Sequence, residues 1–203
     1  MTQSQIPEPR TSQGVTVTPP EQAERAVATI MLAFSTDPMA RWSLSDPAVY
    51  LAQFPAVVRA FGGSAFAAGT AHHVDDFAGA ALWLAPGAHA DEEALGAIMQ
   101  AACLPERMAD AAVVFAEMAN YHPTEPHWYL PLIGVDPMHK GKGLGSRLLA
   151  HALQQCDADH LPAYLESSNP ANIALYERHG FERLGTIQAG SSPPLVPMLR
   201  RAR

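Results

Sequence analysis

Cysteine is scarce in this sequence: Cys103 and Cys156 are the two in 203 residues. Two thiols so far apart make neither a metal-ligand spacing nor a disulfide framework. A reducing cytoplasm is therefore the expected setting, with no metal. Charge is sparse as well, at 16% of residues, and basic charge is the scarcer sign. Thirteen Lys and Arg stand against twenty Asp and Glu, a net charge of −7. A general nucleic-acid binder wants a basic face, so no nucleic-acid partner is expected. An acidic chain suits a cationic or amine-bearing ligand, through steering alone. No apolar run approaches the ~20 residues that span a bilayer, so no membrane partner is expected. No basic start followed by an apolar run opens the chain, so no signal peptide is expected. There is no internal repeat and no internal linker.

What is present reads as one mixed α/β domain. Residues 1–14 are polar and proline-bearing, and read as a mobile tail. "GVTVT" (14–18) is a candidate short strand. Thr18, Pro19 and Glu21 have the spacing of a helix cap and capping box. Apolar residues from Ala23 to Phe34 follow at helical spacing. A second helix starts at Asp46-Pro47 and runs towards Gly62-Gly63, with a kink expected at Pro55. "SAFAAGTAHHV" (64–74) and "FAGAALWLAP" (77–86) read as antiparallel strands around a "DD" turn. Residues 91–118 are helical, broken at Leu104-Pro105. "HWYLPLIGV" (127–135) is a strand, with Pro131 marking a bulge or an edge. Leu144, Leu148, Leu149, Ala152, Leu153 and Cys156 form a helical stripe. "LPAYLES" (161–167) is a strand, Asn169-Pro170 starts a helix that Gly180 ends, and 181–188 and 194–199 read as final strands.

The densest signal is "VDPMHKGKGLGSRLL" (135–149), with glycine at 141, 143 and 145 between a strand and a helix. Glycine is costly inside regular structure, so three in five residues mark a backbone that side chains would obstruct. A glycine-rich turn opening a helix presents unsatisfied N–H groups and the positive end of the dipole to an anion. Lys140 and Lys142 add charge. The alternative is a tight turn with two solvated lysines. A Walker loop needs G-x-x-x-x-G-K-S/T, which does not occur. The dinucleotide fingerprint would need glycine where Ser146 stands.

A third pattern fits. Lys140, Gly141, Lys142, Gly143, Leu144 and Gly145 resemble the Gln/Arg-x-x-Gly-x-Gly/Ala loop of GNAT-superfamily N-acetyltransferases. "LIGVDP" before it, "SRLLAHAL" after it and "NPANIALYERHGFERLG" (169–185) extend the resemblance over roughly 127–188. "HWYLPLIGVDP" with "YLESSNP" most resembles the small-molecule group related to puromycin N-acetyltransferase. The first loop position departs from the pattern, being Lys140.

The resemblance implies a single acetyltransferase domain over 15–203. Its fold would be a twisted, mostly antiparallel sheet splayed between its fourth and fifth strands and flanked by helices. It implies acetyl-CoA as cosubstrate, held by backbone groups of Ile133, Gly134 and Val135, by the loop from Lys140 to Ser146, and by Asn172. Tyr176, four residues from Asn172 on the same helix face, would protonate the leaving thiolate. Glu166 would take the proton of the acceptor ammonium, with Glu117, His122 and His127 as alternatives. The implied activity is acetyl transfer to a primary amine of a small molecule, by direct attack in a ternary complex. A non-catalytic CoA-binding module and a protein amine acetyltransferase are the competing readings. The acceptor is expected between residues 21–62 and the late strands, with "DPMARW" (37–42) and Trp83 as contacts. His72 and His73 read as surface or groove residues. Met31, Met39, Met99, Met108 and Met118 read as helix packing. "PLVPML" (194–199) is a candidate for pairing across a homodimer.

Overall fold

The structure is a computed structural model that describes residues 14–203. Except for its last residue, the expected tail lies outside the described residues. The elements in chain order are β1 (Thr16–Val17), α1 (Ala23–Phe34), α2 (Pro38–Ser43), α3 (Pro47–Gly62) and α4 (Ser64–Ala68). Next come β2 (Ala71–Val74), β3 (Gly79–Leu84), α5 (Glu92–Ala102), α6 (Met108–Tyr121) and β4 (Trp128–Val135). Last are α7 (Leu144–Ala158), β5 (Ala163–Ser167), α8 (Ile173–Arg178), β6 (Glu182–Arg183) and β7 (Val196–Arg200). The strands form one sheet in the order β1-β2-β3-β4-β5-β7-β6. Only β4–β5 is parallel. This is the mixed α/β class and splayed sheet that the sequence implied.

Local chemistry explains most boundaries. Asp46 caps α3 by accepting from the Val49 N–H at 2.9 Å, and α3 runs through Pro55 to Gly62. Asp91 caps α5 in the same way, through the Ala94 N–H. Three expectations about elements and caps need correction. Thr18 does not cap α1: it is buried and its hydroxyl bonds His73 Nδ1 at 3.0 Å, while the helix starts later through a 3-10 turn. Residues 64–68 form α4 rather than a strand, since Ala and Phe there pack on the core and Gly69 ends the turn at φ +71°. The strand "PLVPML" cannot pair across a dimer, because β7 already has β5 on one edge and β6 on the other.

The β2–β3 turn carries three non-glycine residues at positive φ: Asp75, Asp76 and Phe77. That backbone is strained for L side chains, and it is held from outside. Arg147 of α7 forks onto Asp75 at 2.8 and 3.0 Å, and Arg25 of α1 pairs with Asp76 at 2.7 Å while lying over the Phe77 ring.

The sheet separates two cores. One packs α7 and α8 against the face carrying Val74, Ala81, Leu130 and Leu165. The other packs α1 and α3 against Ala80, Leu82 and Leu132. His72 falls inside this sandwich, correcting its expected surface placement. It is 9% exposed, stacks edge-on against His151 of α7 and has no partner for Nδ1 among the described residues. Burial, then the neighbouring His151 and His73, push its pKa down to about 4.

A neutral buried His with a depressed pKa favours the fold at high pH. The unfolded chain takes up the proton first, below about 6.5. Stability is therefore expected to fall as pH drops from about 6.5 to 4, by up to roughly 3 kcal/mol for this group. His72→Phe should remove that acid-sensitive segment from a plot of melting temperature against pH. An unchanged plot would reassign the sensitivity elsewhere.

The region that positions the site is where β4 leaves β5. The two strands pair only at Trp128–Ala163 and Tyr129–Tyr164. On its other edge β4 slips register by one against β3, between Leu82 and Leu84. This is the bulge that Pro131 marks. The extra residue changes which side chains face which core. Leu130 points to the α7 core, and Leu132, two residues on, points to the α1 core. Tyr129, Pro131 and Leu132 thereby reach one cleft together.

Candidate active site

The glycine loop has the geometry of an anion site. Gly141 has φ +79° and Gly143 has φ +75°, and a Cβ on either would project into open space. α7 opens at Gly143 with no side-chain cap and no acidic residue in its first turn. Its first N–H groups and dipole are thus free to face an anion. Lys140 and Lys142 are exposed beside it. Leu144 buries its side chain in the core, leaving only its backbone to the loop. Gly145 packs closely, since a Cβ there would meet the Leu175 side chain of α8 at 3.3 Å. Ser146 Oγ lies 2.7 Å from His179 Nε2, tying the first turn of α7 to the end of α8.

The splay supplies a second set of backbone groups. The Asp136 N–H bonds the Ala78 carbonyl at 2.9 Å, and Gly134 and Leu132 stand opposite Ala80 and Leu82. By the alternation of an antiparallel ladder, Pro131, Ile133 and Val135 then direct their backbone groups away from β3, into the gap towards β5. Pro131 therefore gives up a donor where no strand would receive it. Gly134 needs correction as a gap-facing residue: its backbone belongs to the β3 ladder. It is glycine because a Cβ would come within 2.6 Å of Ala33 Cβ on α1.

Asn172 ends a 3-10 turn just before α8, and Tyr176 lies within α8. Asn172 is exposed, and Tyr176 is 6% exposed with its ring edge-on to Phe181. Burial first, and the Asp37 carboxylate second, raise the Tyr176 hydroxyl above its ordinary range, so it stays protonated.

Glu166 stands on the opposite wall. Period two along β5 turns Tyr164, Glu166 and Ser168 to one face, away from Leu165 and α7. The Glu166 side chain is 4% exposed. Its Oε2 accepts from the Tyr129 hydroxyl at 2.8 Å. Its Oε1 is buried and has no hydrogen-bond partner among the described residues. His122 Nδ1 stands 4.0 Å from that oxygen, and His122 Nε2 meets His127 Nε2 at 2.9 Å. Burial pushes the His127 pKa down. The structure thus gathers Glu166, His122 and His127, while Glu117 is set apart, exposed and bonded to Asn120.

Two clefts meet at Glu166. The smaller, of about 130 Å³, is lined by Asp37, Trp42, Phe54, Pro131 and Ser168 among others. The larger, of about 540 Å³, runs between α5 and α6 and is lined by Met99, Met108, Phe115, His122 and Tyr129 among others. Asp37 is held at the head of α2 by the Ala40 N–H at 3.0 Å and the Ser168 hydroxyl at 2.7 Å. Burial raises its pKa. Trp83 is not a contact: it is 1% exposed in the α7 core, where the sheet face buries it. Met39, Met99, Met108 and Met118 line the clefts, while Met31, Met39 and Met118 also pack against the core as expected. The wall formed by α5 and α6 was not foreseen. Its helices were legible, but the face they present depends on how α6 crosses to the chain end. Asp110 accepts there from the Ser191 N–H at 2.9 Å.

The sequence and the fold have known counterparts. Residues 81–181 match the family described as acetyltransferase (GNAT) family. An uncharacterized N-acetyltransferase of Schizosaccharomyces pombe is 29% identical over 144 residues, covering 62% of this chain and 56% of that protein. The N-alpha-acetyltransferase RimI of Mycobacterium tuberculosis is 34% identical over 80 residues, covering 39% of this chain and 51% of that one. This chain thus spans about half the length of those relatives. In fold it resembles a crystal structure described as histone acetyltransferase HPA2 and related acetyltransferase from Corynebacterium glutamicum. The TM-score is 0.68 at 24% identity, covering 95% of this chain and 98% of that one.

Proposed function

Because the chain belongs to the GNAT acetyltransferase family, we propose that it transfers an acetyl group from acetyl-CoA to a primary amine of a small molecule. One observation carries this reading: Oε1 of Glu166 is buried in a cleft beside the splay with no hydrogen-bond partner among the described residues, His122 Nδ1 standing 4.0 Å away. A carboxylate oxygen in that position is costly unless a donor completes it, and an ammonium is such a donor.

The residues present fit acetyl-CoA. The N–H groups from Lys142 to Ser146 at the head of α7 suit its phosphates, with Lys140 and Lys142 adding charge and Gly141 and Gly143 giving room. Ile133 and Val135 offer backbone groups in the gap, and the exposed Asn172 would bind the pantetheine arm. Bound there, acetyl-CoA would supply an activated acyl carbon and a thiolate leaving group.

Glu166 takes one proton from the acceptor ammonium, freeing the nitrogen lone pair for attack by direct transfer in a ternary complex. The new N–C bond forms as the C–S bond breaks. Tyr176 delivers a proton to the sulfur, and the second proton leaving the nitrogen as the amide forms restores its hydroxyl. Its buried hydroxyl remains protonated at neutral pH, as a donor must. His122, whose Nδ1 lies 4.0 Å from Glu166 Oε1, leads through His127 towards the surface and can pass the proton on. Neither cysteine serves as an acyl carrier, since both are buried and burial raises both thiols.

Tyr176→Phe tests the donor. The ring and its packing stay, so the acetyl-CoA-induced melting shift should match that of the parent. The amine-dependent release of CoA should slow by about 10²-fold or more. Undiminished turnover would remove Tyr176 from the mechanism.

A further inference from the structure

We propose that the acceptor is a lipophilic monoamine. Its ammonium would sit at Glu166 Oε1 and its apolar body would lie in the cleft between α5 and α6. This rests on the acetyl-transfer reading above and adds the substrate class.

The charge pattern of the clefts carries it. The Glu166 side chain is 4% exposed, has one oxygen without a hydrogen-bond partner among the described residues, and lines both clefts. The other carboxylates nearby are engaged or remote from the cleft floor. Asp37 already accepts from the Ala40 N–H and the Ser168 hydroxyl. Glu92 is exposed at the rim, in the first turn of its own helix. The cleft between α5 and α6 therefore offers one buried anionic position, Glu166 at one end, since Asp37 lines only the smaller cleft.

The walls shared by both clefts are apolar: Phe61, Leu95, Met99, Ala111, Phe115 and Met118. A second ammonium lying along Met99 and Phe115 would be stripped of water with nothing to pair it. A hydrocarbon or aryl body would instead displace water from surfaces that gain by losing it. Methionine thioethers and a half-exposed Phe115 adapt to bodies of different shape. Ala88, Ala90, Gly96, Ala112 and Ala119 leave room along the larger cleft, whose ~540 Å³ falls in the small-molecule range.

The test compares linear monoamines from propylamine to heptylamine, and phenethylamine, with putrescine and spermidine. Two readouts are used: CoA release with acetyl-CoA present, and the melting temperature of the protein with amine alone. The expected result is a kcat/KM rising about fourfold per added methylene, and a melting shift from heptylamine that putrescine does not give. Met99→Glu should flatten the chain-length dependence and improve putrescine, with the acetyl-CoA melting shift retained. Phe115→Ser, at a half-exposed position, gives a second variant should Met99→Glu not fold, and it too should flatten the dependence. A flat dependence in the parent, or putrescine and spermidine surpassing heptylamine, overturns the monoamine assignment and leaves acetyl transfer standing. Absence of CoA release with every amine, despite an acetyl-CoA melting shift, overturns acetyl transfer itself and the substrate class with it.

Discussion

Glu166→Gln should lower kcat/KM for amine acetylation by about 10²–10⁴ while leaving the fold intact. The amide keeps the shape and still accepts the Tyr129 hydroxyl that now bonds Oε2 at 2.8 Å. What it loses is the ability to accept a proton and the charge that attracts an ammonium. The pH dependence separates this role from a structural one. Without the carboxylate the variant depends on amine already deprotonated in solution. An alkylamine with a pKa near that of lysine, about 10.4, provides tenfold more of that form per pH unit below it. The variant's rate should therefore climb about tenfold per unit, more steeply than the parent's. Melting temperature should hold or rise, since a buried carboxylate oxygen without a partner has been removed. A rate near that of the parent would transfer the role of base to His122 or His127.

Gly143→Asp should abolish detectable acetyl-CoA binding. Two effects act in the same direction. The residue sits at φ +75°, where any side chain is strained. The new carboxylate would project into the open space before α7, the space the phosphates need, and would repel them. Gly143→Ala separates the effects: it carries the strain without the charge and should weaken binding less. Retained affinity in Gly143→Asp would mean that the loop is only a turn.

The two halves of the site differed in how far the sequence revealed them. The proposed cofactor half is built from consecutive residues. Glycines at 141, 143 and 145, Asn172 four before Tyr176, and Pro131 in its strand each state a local backbone need that can be read in place. Even there Gly134 misled, because a close approach from Ala33, a hundred residues earlier, looks in sequence like a ligand contact. The acceptor half is assembled from distant pieces. Asp37 meets Ser168 across 131 residues, and Trp42 Nε1 meets Ser191 Oγ across 149. The helical periodicity of α5 and α6 announces two buried faces, but not that one of them borders a cleft. The two misjudged histidine and tryptophan positions, His72 and Trp83, share a cause. β2 and β3 are covered on both faces, so alternation no longer assigns a side chain to solvent.

The account stands or falls on cofactor phosphate at the head of α7. The most direct test is the melting temperature of the protein with and without acetyl-CoA, measured beside Gly143→Asp. At a hundred times its dissociation constant the ligand should add about 2.7 kcal/mol, roughly 5–10 °C for a chain of this size, and Gly143→Asp should show no shift. No shift in the parent protein at millimolar acetyl-CoA, or an equal shift in both, would contradict the account.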